Sequence, residues 1–324
     1  MKVPKTPLMS MEELIKVNPM VENNVPYAYE RIPKIGVVFA TTGGPKIERC
    51  LRSFARIEPD LHAQAHVVLD ATSNTWLRHP RMDVGTIPVH SVSNGAHING
   101  ILNHALHWMK ELGHSHALMF HDDLIFSPLP QHKGSISKWL DIPQVLSGSG
   151  ISFGHFETFT QEGRRPSEIW DYEDLEGTRL WNYLASLTEP IEGGVDLRPP
   201  GASYWFRSEG ADKVRKWNRL GPTGQIVPIS TWESVGRFDE TAGIFYDQEY
   251  PSECFRRKLP PIWAVPNFPW IHLHNQSMNP WGDPAPNAFS NTGAAYEKRF
   301  GARDNRATGW AGFWGDNWET EWEG

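Results

Sequence analysis

The stretch Ala117-Leu118-Met119-Phe120-His121-Asp122-Asp123-Leu124-Ile125-Phe126-Ser127-Pro128 constrains the chain more than any other. Its first apolar run has the length and composition of a buried strand, and two adjacent carboxylates stand at its end. A second apolar run then stops at a proline. The carboxylates are expected at the carboxyl end of that strand, where open α/β sheets bind their ligands. Like charges side by side repel, so a packed environment tolerates them only with a cation or a donor network. A hard divalent metal is the natural partner. The plainer alternative is a pair of solvated loop acids, unremarkable by itself among 38 acidic residues in 324.

The surrounding pattern supports a sheet with helices. Ile35-Gly36-Val37-Val38-Phe39-Ala40 reads as a strand, followed by the loop Thr41-Thr42-Gly43-Gly44-Pro45. Ile47, Cys50, Leu51, Phe54 and Ile57 then recur at helical spacing. The loop lacks the phosphate-loop lysine pattern and the three-glycine dinucleotide pattern, so it is weak evidence of nucleotide binding. Ala65–Leu69 and Ile87–His90 predict two further strands, and Asn94 is placed to cap a helix running to Leu112. Strand, helix, strand, strand, helix, strand predicts an α/β fold with a mostly parallel central sheet and helices on both faces.

Beyond Pro130 the periodicity loosens. Val145–Phe153, Ala202–Phe206, Ile262–Val265 and Trp270–His274 read as strands, and a helix is expected through Val214 and Trp217. Residues 155–195 read as a lid or insertion, since long irregular segments in compact domains are more often functional than decorative. Residues 1–33 read as an extension, with a short helix possible from Ser10 to Leu14. Residues 34–278 form the expected domain, and 279–324 a Trp-rich extension. There Trp310, Trp314, Trp318 and Trp322 recur every four residues, but Gly309, Gly312 and Gly315 favour an extended tail over a helix.

Composition bounds the function. The net charge of −7 gives no global attraction to nucleic acid or anionic membrane. Cys50 and Cys254 lie too far apart for a zinc or redox motif, and a reducing compartment is the simpler inference. No signal-peptide core and no apolar window of transmembrane length are visible, so a cytoplasmic protein is expected.

Taken in order, the opening strand with Thr41-Thr42, "VVLDATSN" at 67–74, Asn94-Gly95 with Asn99-Gly100, "FHDD" at 120–123, "VGRFDE" at 235–240, "FYDQEY" at 245–250 and "HLHNQS" at 272–277 resemble the family 2 glycosyltransferases with the GT-A fold. The resemblance covers roughly Ile35 to Ser277. It implies transfer of a sugar from a nucleotide-diphosphate sugar to an acceptor hydroxyl, with inversion, and a divalent cation (Mn2+ or Mg2+) to neutralise the departing diphosphate.

Residue by residue, Asp122 and Asp123 become a variant of the family's Asp-any-Asp motif. Asp123 is the metal contact and Asp122 a partner to ribose or metal. Asp70 matches a strand-end aspartate that accepts from a nucleobase or sugar, with an ordinary turn-forming role as its alternative. Thr41, Thr42, Asn94 and Asn99 fall among the donor-binding positions. The family's catalytic base lies in a Glu-Asp motif, but the chain reads Asp247-Gln248-Glu249 there, so Asp247 is the first choice of base and Glu249 the second. Asp239 and Glu240 are expected to organise the acceptor-side loop. His272 and His274 share a strand face, and either could approach the metal or be a satisfied structural histidine. The opening loop also departs from the family's Pro-Thr-Tyr-Asn pattern, which leaves the nucleotide open.

The aromatic side chains and the acidic balance point to a glycan or glycoconjugate acceptor, ahead of a hydroxymethylated base in DNA. Two rivals differ in class. A noncatalytic sugar or nucleotide binder would have no use for acids at both the metal and base positions. A nucleotidyltransferase would need a basic triphosphate loop, which Thr41 to Lys46 does not supply.

Overall fold

The computed structural model describes residues 9–10, 34–73, 76–77, 80–93, 97–140, 146–153, 156–160, 181, 195–196, 202–206, 213–217, 224–240, 250–251, 253–254, 257–260, 262–265 and 270–273. In chain order the strands are β1 (Met9–Ser10), β2 (Ile35–Thr41), β3 (Ala65–Asp70), β4 (Val89–Val92), β5 (His116–His121), β6 (Leu124–Phe126), β7 (Gly150–Phe153), β8 (Phe156–Thr160), β9 (Val195–Asp196), β10 (Ala202–Phe206), β11 (Lys213–Trp217), β12 (Gly224–Pro228), β13 (Ile262–Val265) and β14 (Trp270–Leu273). The main helices are α1 (Pro45–Ile57), α2 (His97–Glu111) and α3 (Ile229–Val235).

The main sheet has the order β1-β11-β13-β7-β12-β5-β2-β3-β4 among the described residues. Parallel pairing joins β2 to both β3 and β5, β3 to β4, and β13 to β7. Only β11 and β12 run against the other strands. Alternate residues of a strand point to opposite faces, so β2 feeds two cores. Val37 and Phe39 pack with Ile47, Cys50, Leu51 and Phe54 of α1. Val38 and Ala40 pack with Ile101, Leu102, Ala105 and Met109 of α2 and with Trp232 and Val235 of α3. Cover on both faces explains why β2 reads as a continuous apolar run rather than an alternating one. The α/β fold with a mostly parallel sheet and helices on both faces is therefore present.

A second sheet, β6-β14-β8-β10-β9, begins where the two apolar runs of the opening stretch part company. Trp270 of β14 closes the seam between the sheets, 5.5 Å from Phe120 and 5.8 Å from Phe153, ring centroid to centroid. It comes so near β12 that a Cβ on Gly224 would lie 2.5 Å from Trp270 Cζ2.

Three expectations change. Lys213–Trp217 is not helical but a strand, paired with β13 in the register Arg215↔Ala264. Two apolar residues three apart are too few to specify a helix, and the open edge of β13 captures the segment. Residues 156–160 are not irregular but form β8, between β14 and β10. Ser10 lies in β1 against Lys213 rather than at the start of a helix. The Trp-rich extension and Asn94 fall outside the described residues.

Candidate active site

The connections of the main sheet diverge at one place. From β2 the chain passes through α1 to β3 and on to β4, and α2 then carries it back to β5 on the other side of β2. The crevice at the carboxyl ends of β2 and β5 is a topological switch point, where open sheets of this kind take ligands. The pairing Ala40↔His121 sets Thr41, the last residue of β2, beside Asp122, the first residue after β5.

There the Thr41 hydroxyl donates to Asp122 Oδ2 at 2.5 Å, and the Thr42 backbone N–H donates to the same oxygen at 3.1 Å. Lys46, in the first turn of α1, brings Nζ to 3.2 Å from it. The Gly43 N–H donates to Thr41 Oγ1 at 2.8 Å, fixing the hydroxyl that serves Asp122. Burial raises the Asp122 carboxyl above its ordinary range, more than Lys46 lowers it; the neighbouring Asp123 charge adds to the rise, and the Thr41 and Thr42 hydrogen bonds oppose it.

Asp123 faces different company. Its Oδ2 lies 3.4 Å from His272 Nε2 on β14, and its carbonyl accepts from the Leu273 N–H at 2.8 Å. Burial pushes this carboxyl upward too. The electrostatic interaction and hydrogen bond with His272 outweigh that, with smaller help from His121 and Lys46, and hold Asp123 well below the usual carboxylate range. Both aspartates are nearly inaccessible, at 2% and 4%. The solvated-loop alternative for the pair is excluded.

Asp70 ends β3, one strand from the crevice. Its Oδ1 accepts from the Thr72 N–H at 2.9 Å and the Thr72 hydroxyl at 2.6 Å, the hydrogen bonding of a turn-forming aspartate. Ser73 Oγ donates to the Thr42 carbonyl at 2.9 Å and ties this turn to the crevice. Asn99 is buried on α2, and its Nδ2 donates to the Asp239 carbonyl at 2.8 Å. The structure thus gathers Thr41, Thr42, Asp122, Asp123 and His272 into one cluster, with Asp70 beside it and Asn99 bonded to the 236–240 turn. His274, Asp247 and Glu249 lie outside the described residues.

Among the described residues no group of three or more His, Cys, Asp or Glu side chains is placed to hold a metal. Asp123 and His272 offer one ionised carboxylate oxygen and one imidazole nitrogen, a donor pair that fits a divalent first-row cation completed by ligand oxygens or water. Two polar residues of this edge escape notice in the sequence. Lys46 carried a signal, a cation two positions beyond Gly-Gly at a helix start. Asn103 carried none, since its partners lie 129 to 137 residues away.

No protein-family model matches the sequence, and no curated protein does. Similar solved structures include GalNAc-T7 with UDP, GalNAc and Mn2+, 9% identical over 88% of this chain and 56% of that one, with a TM-score of 0.46. The mannosyltransferase PcManGT from Pyrobaculum calidifontis in complex with GDP-Man and Mn2+ is 14% identical over 88% of this chain and 70% of that one, with a TM-score of 0.42. S. aureus TarS is 13% identical over 85% of this chain and 41% of that one, also with a TM-score of 0.42. The chain spans little more than half the length of the first of these. These likenesses are distant, and the functional reading rests on the crevice itself.

Proposed function

We propose that the chain is a metal-dependent glycosyltransferase of the GT-A type, which moves a sugar from a nucleotide-diphosphate sugar to a hydroxyl of a glycan or glycoconjugate. The observation that carries this reading is the split Asp pair at the switch point. One carboxylate is consumed by the fold, and the next is kept ionised beside an imidazole. Asp122 organises the floor of the crevice, and Asp123 with His272 would hold Mn2+ or Mg2+. The imidazole favours Mn2+, because Mg2+ prefers an all-oxygen shell. When bound, the cation neutralises charge on the diphosphate leaving group.

The reaction needs three things from the protein. The acceptor oxygen must reach the anomeric carbon from the side opposite the diphosphate, which inverts the configuration. The bond from the anomeric carbon to the diphosphate oxygen breaks, and its electron pair leaves with the nucleoside diphosphate. The acceptor proton passes to a carboxylate, for which Asp247 is our first choice and Glu249 our second. Thr42 and Asp70, at the ends of adjacent strands, stand on the nucleoside side. No helix among the described residues is long and apolar enough to cross a membrane.

Asp247→Asn is expected to keep donor binding while transfer falls about 10²-fold or more, the scale of losing a positioned general base. Parallel losses in donor affinity and rate would move Asp247 into the donor pocket. Glu249→Gln, made beside it, identifies the base if it alone loses transfer.

A further inference from the structure

Asn103 lies one helical turn after Asn99 on α2, is 6% exposed, and spends its carboxamide on a single segment of chain. Oδ1 accepts from Trp232 Nε1 at 3.0 Å and from the Phe238 N–H at 3.0 Å. Nδ2 donates to the Phe238 carbonyl at 2.9 Å and to Glu240 Oε1 at 3.0 Å. A carboxamide has two donor hydrogens and two acceptor lone pairs, so nothing remains for a ligand. Its bonds to both the N–H and the C=O of Phe238 imitate the edge of a strand. Asn99 extends the imitation to the Asp239 carbonyl at 2.8 Å.

The segment held this way begins with two consecutive left-handed residues, Gly236 (φ 101°) and Arg237 (φ 70°). The second is not glycine, and its strain persists only where surrounding contacts over-determine it. The Arg237 guanidinium rests 5.2 Å from the Trp232 ring, and the Phe238 ring meets Tyr250 at 5.8 Å. Tyr250 is itself fixed by donating to the Ser149 carbonyl at 2.5 Å. Glu240 and Tyr250, which bracket Asp247 and Glu249 in the sequence, are therefore both bound to one clamp. α2 enters from the carboxyl end of β4, so Asn99 and Asn103 lie toward the same edge of the sheet as Asp122, on the face opposite α1.

Resting on the glycosyl-transfer reading, we propose that Asn103 is a positioning residue of the acceptor side, holding Glu240 with one carboxylate oxygen bonded and the other turned to an acceptor hydroxyl. Phe238 is buried and Glu240 exposed, so the clamp presents a carboxylate from a rigid base. A carboxylate held by one amide N–H keeps lone pairs for a sugar hydroxyl.

The test uses the full chain with Mn2+, UDP- and GDP-hexoses as donors and methyl hexopyranosides as acceptors, reading nucleoside diphosphate release. Asn103→Asp guards against an unfolded Asn103→Ala, because it keeps the oxygen that serves Trp232 and the Phe238 N–H but turns a second oxygen against the Phe238 carbonyl and Glu240. N103D is expected to lower kcat/KM for the acceptor at least 10-fold while donor KM and UDP affinity stay within twofold. Glu240→Ala should give a similar loss, and the double variant little more, as coupled residues do. Equal losses on donor and acceptor sides, additive losses in the double variant, or an N103D indistinguishable from the wild type would each overturn the inference. A wild type that releases no nucleoside diphosphate from any donor overturns the glycosyl-transfer reading and this inference with it.

Discussion

Asp122 and Asp123 are neighbours in sequence but belong to different regions of the molecule. Asp122 is bound into the main sheet, through β2 and the start of α1. Asp123 is bound into the second sheet, through His272 and Leu273 of β14. In the first region three donors converge on one oxygen and the carboxylate becomes part of the scaffold. In the second the carboxylate shares its site with an imidazole that can itself bind metal. On the reading proposed above, chemistry falls to the residue at the junction of the two sheets, while its neighbour fixes where that junction lies.

The largest effect of breaking this division is expected at Asp122. Asp122→Ala removes one partner of the buried Lys46–Asp122 ion pair and should cost about 3–5 kcal/mol, the scale for such a loss. Urea unfolding measures it, and Lys46→Met combined with Asp122→Asn should recover part of the loss. A D122A variant as stable as the wild type would make Asp122 a free functional carboxylate, like its neighbour.

Gly224→Ala probes the seam between the regions. The added methyl meets Trp270 on the floor of the second sheet, so a loss of about 1–3 kcal/mol is expected from overpacking. His272, the partner of Asp123, lies on the same strand as Trp270, so Mn2+ affinity should fall along with stability. Loss of stability with unchanged metal affinity would separate the seam from the site.

The smallest effect belongs to histidines in and beside the main sheet. Burial lowers the pKa of His62, His66, His114 and His116, with His114 adding to the shift of His66, Lys34 to that of His114, and the Leu146 carbonyl opposing it at His116. The unfolded chain then binds more protons than the folded one below about pH 6.5. Their contribution to stability is present above that pH and is lost as the pH falls toward the lowered folded values. Melting temperatures between pH 7.5 and 5.5 should decline, and His116→Asn should flatten the slope.

The two regions were not equally legible in the sequence. Val37–Ala40 and Leu118–Phe120 are runs covered on both faces, and such runs announce themselves without any knowledge of partners. The carboxylates were legible because a buried strand has only one place to deliver them. β12 was not. Its five residues begin with a glycine required by Trp270 and end in proline, so composition resembles a turn while tertiary pairing with β5 and β7 makes a central strand. Lys213–Trp217 departs from the expected helix for the same reason, as pairing with β13 on one side and β1 on the other decides its conformation. Thr41 and Asp122 are 81 residues apart, and the division of labour between the two aspartates depends on that contact.

The most direct measurement is Mn2+-dependent release of nucleoside diphosphate from nucleotide-sugars, compared between the wild type and Asp123→Asn. The split site predicts release that EDTA abolishes and Mn2+ restores, and a D123N variant that folds normally but loses at least about 10²-fold of that activity with weakened Mn2+–UDP binding. Full Mn2+-dependent turnover in D123N would contradict it.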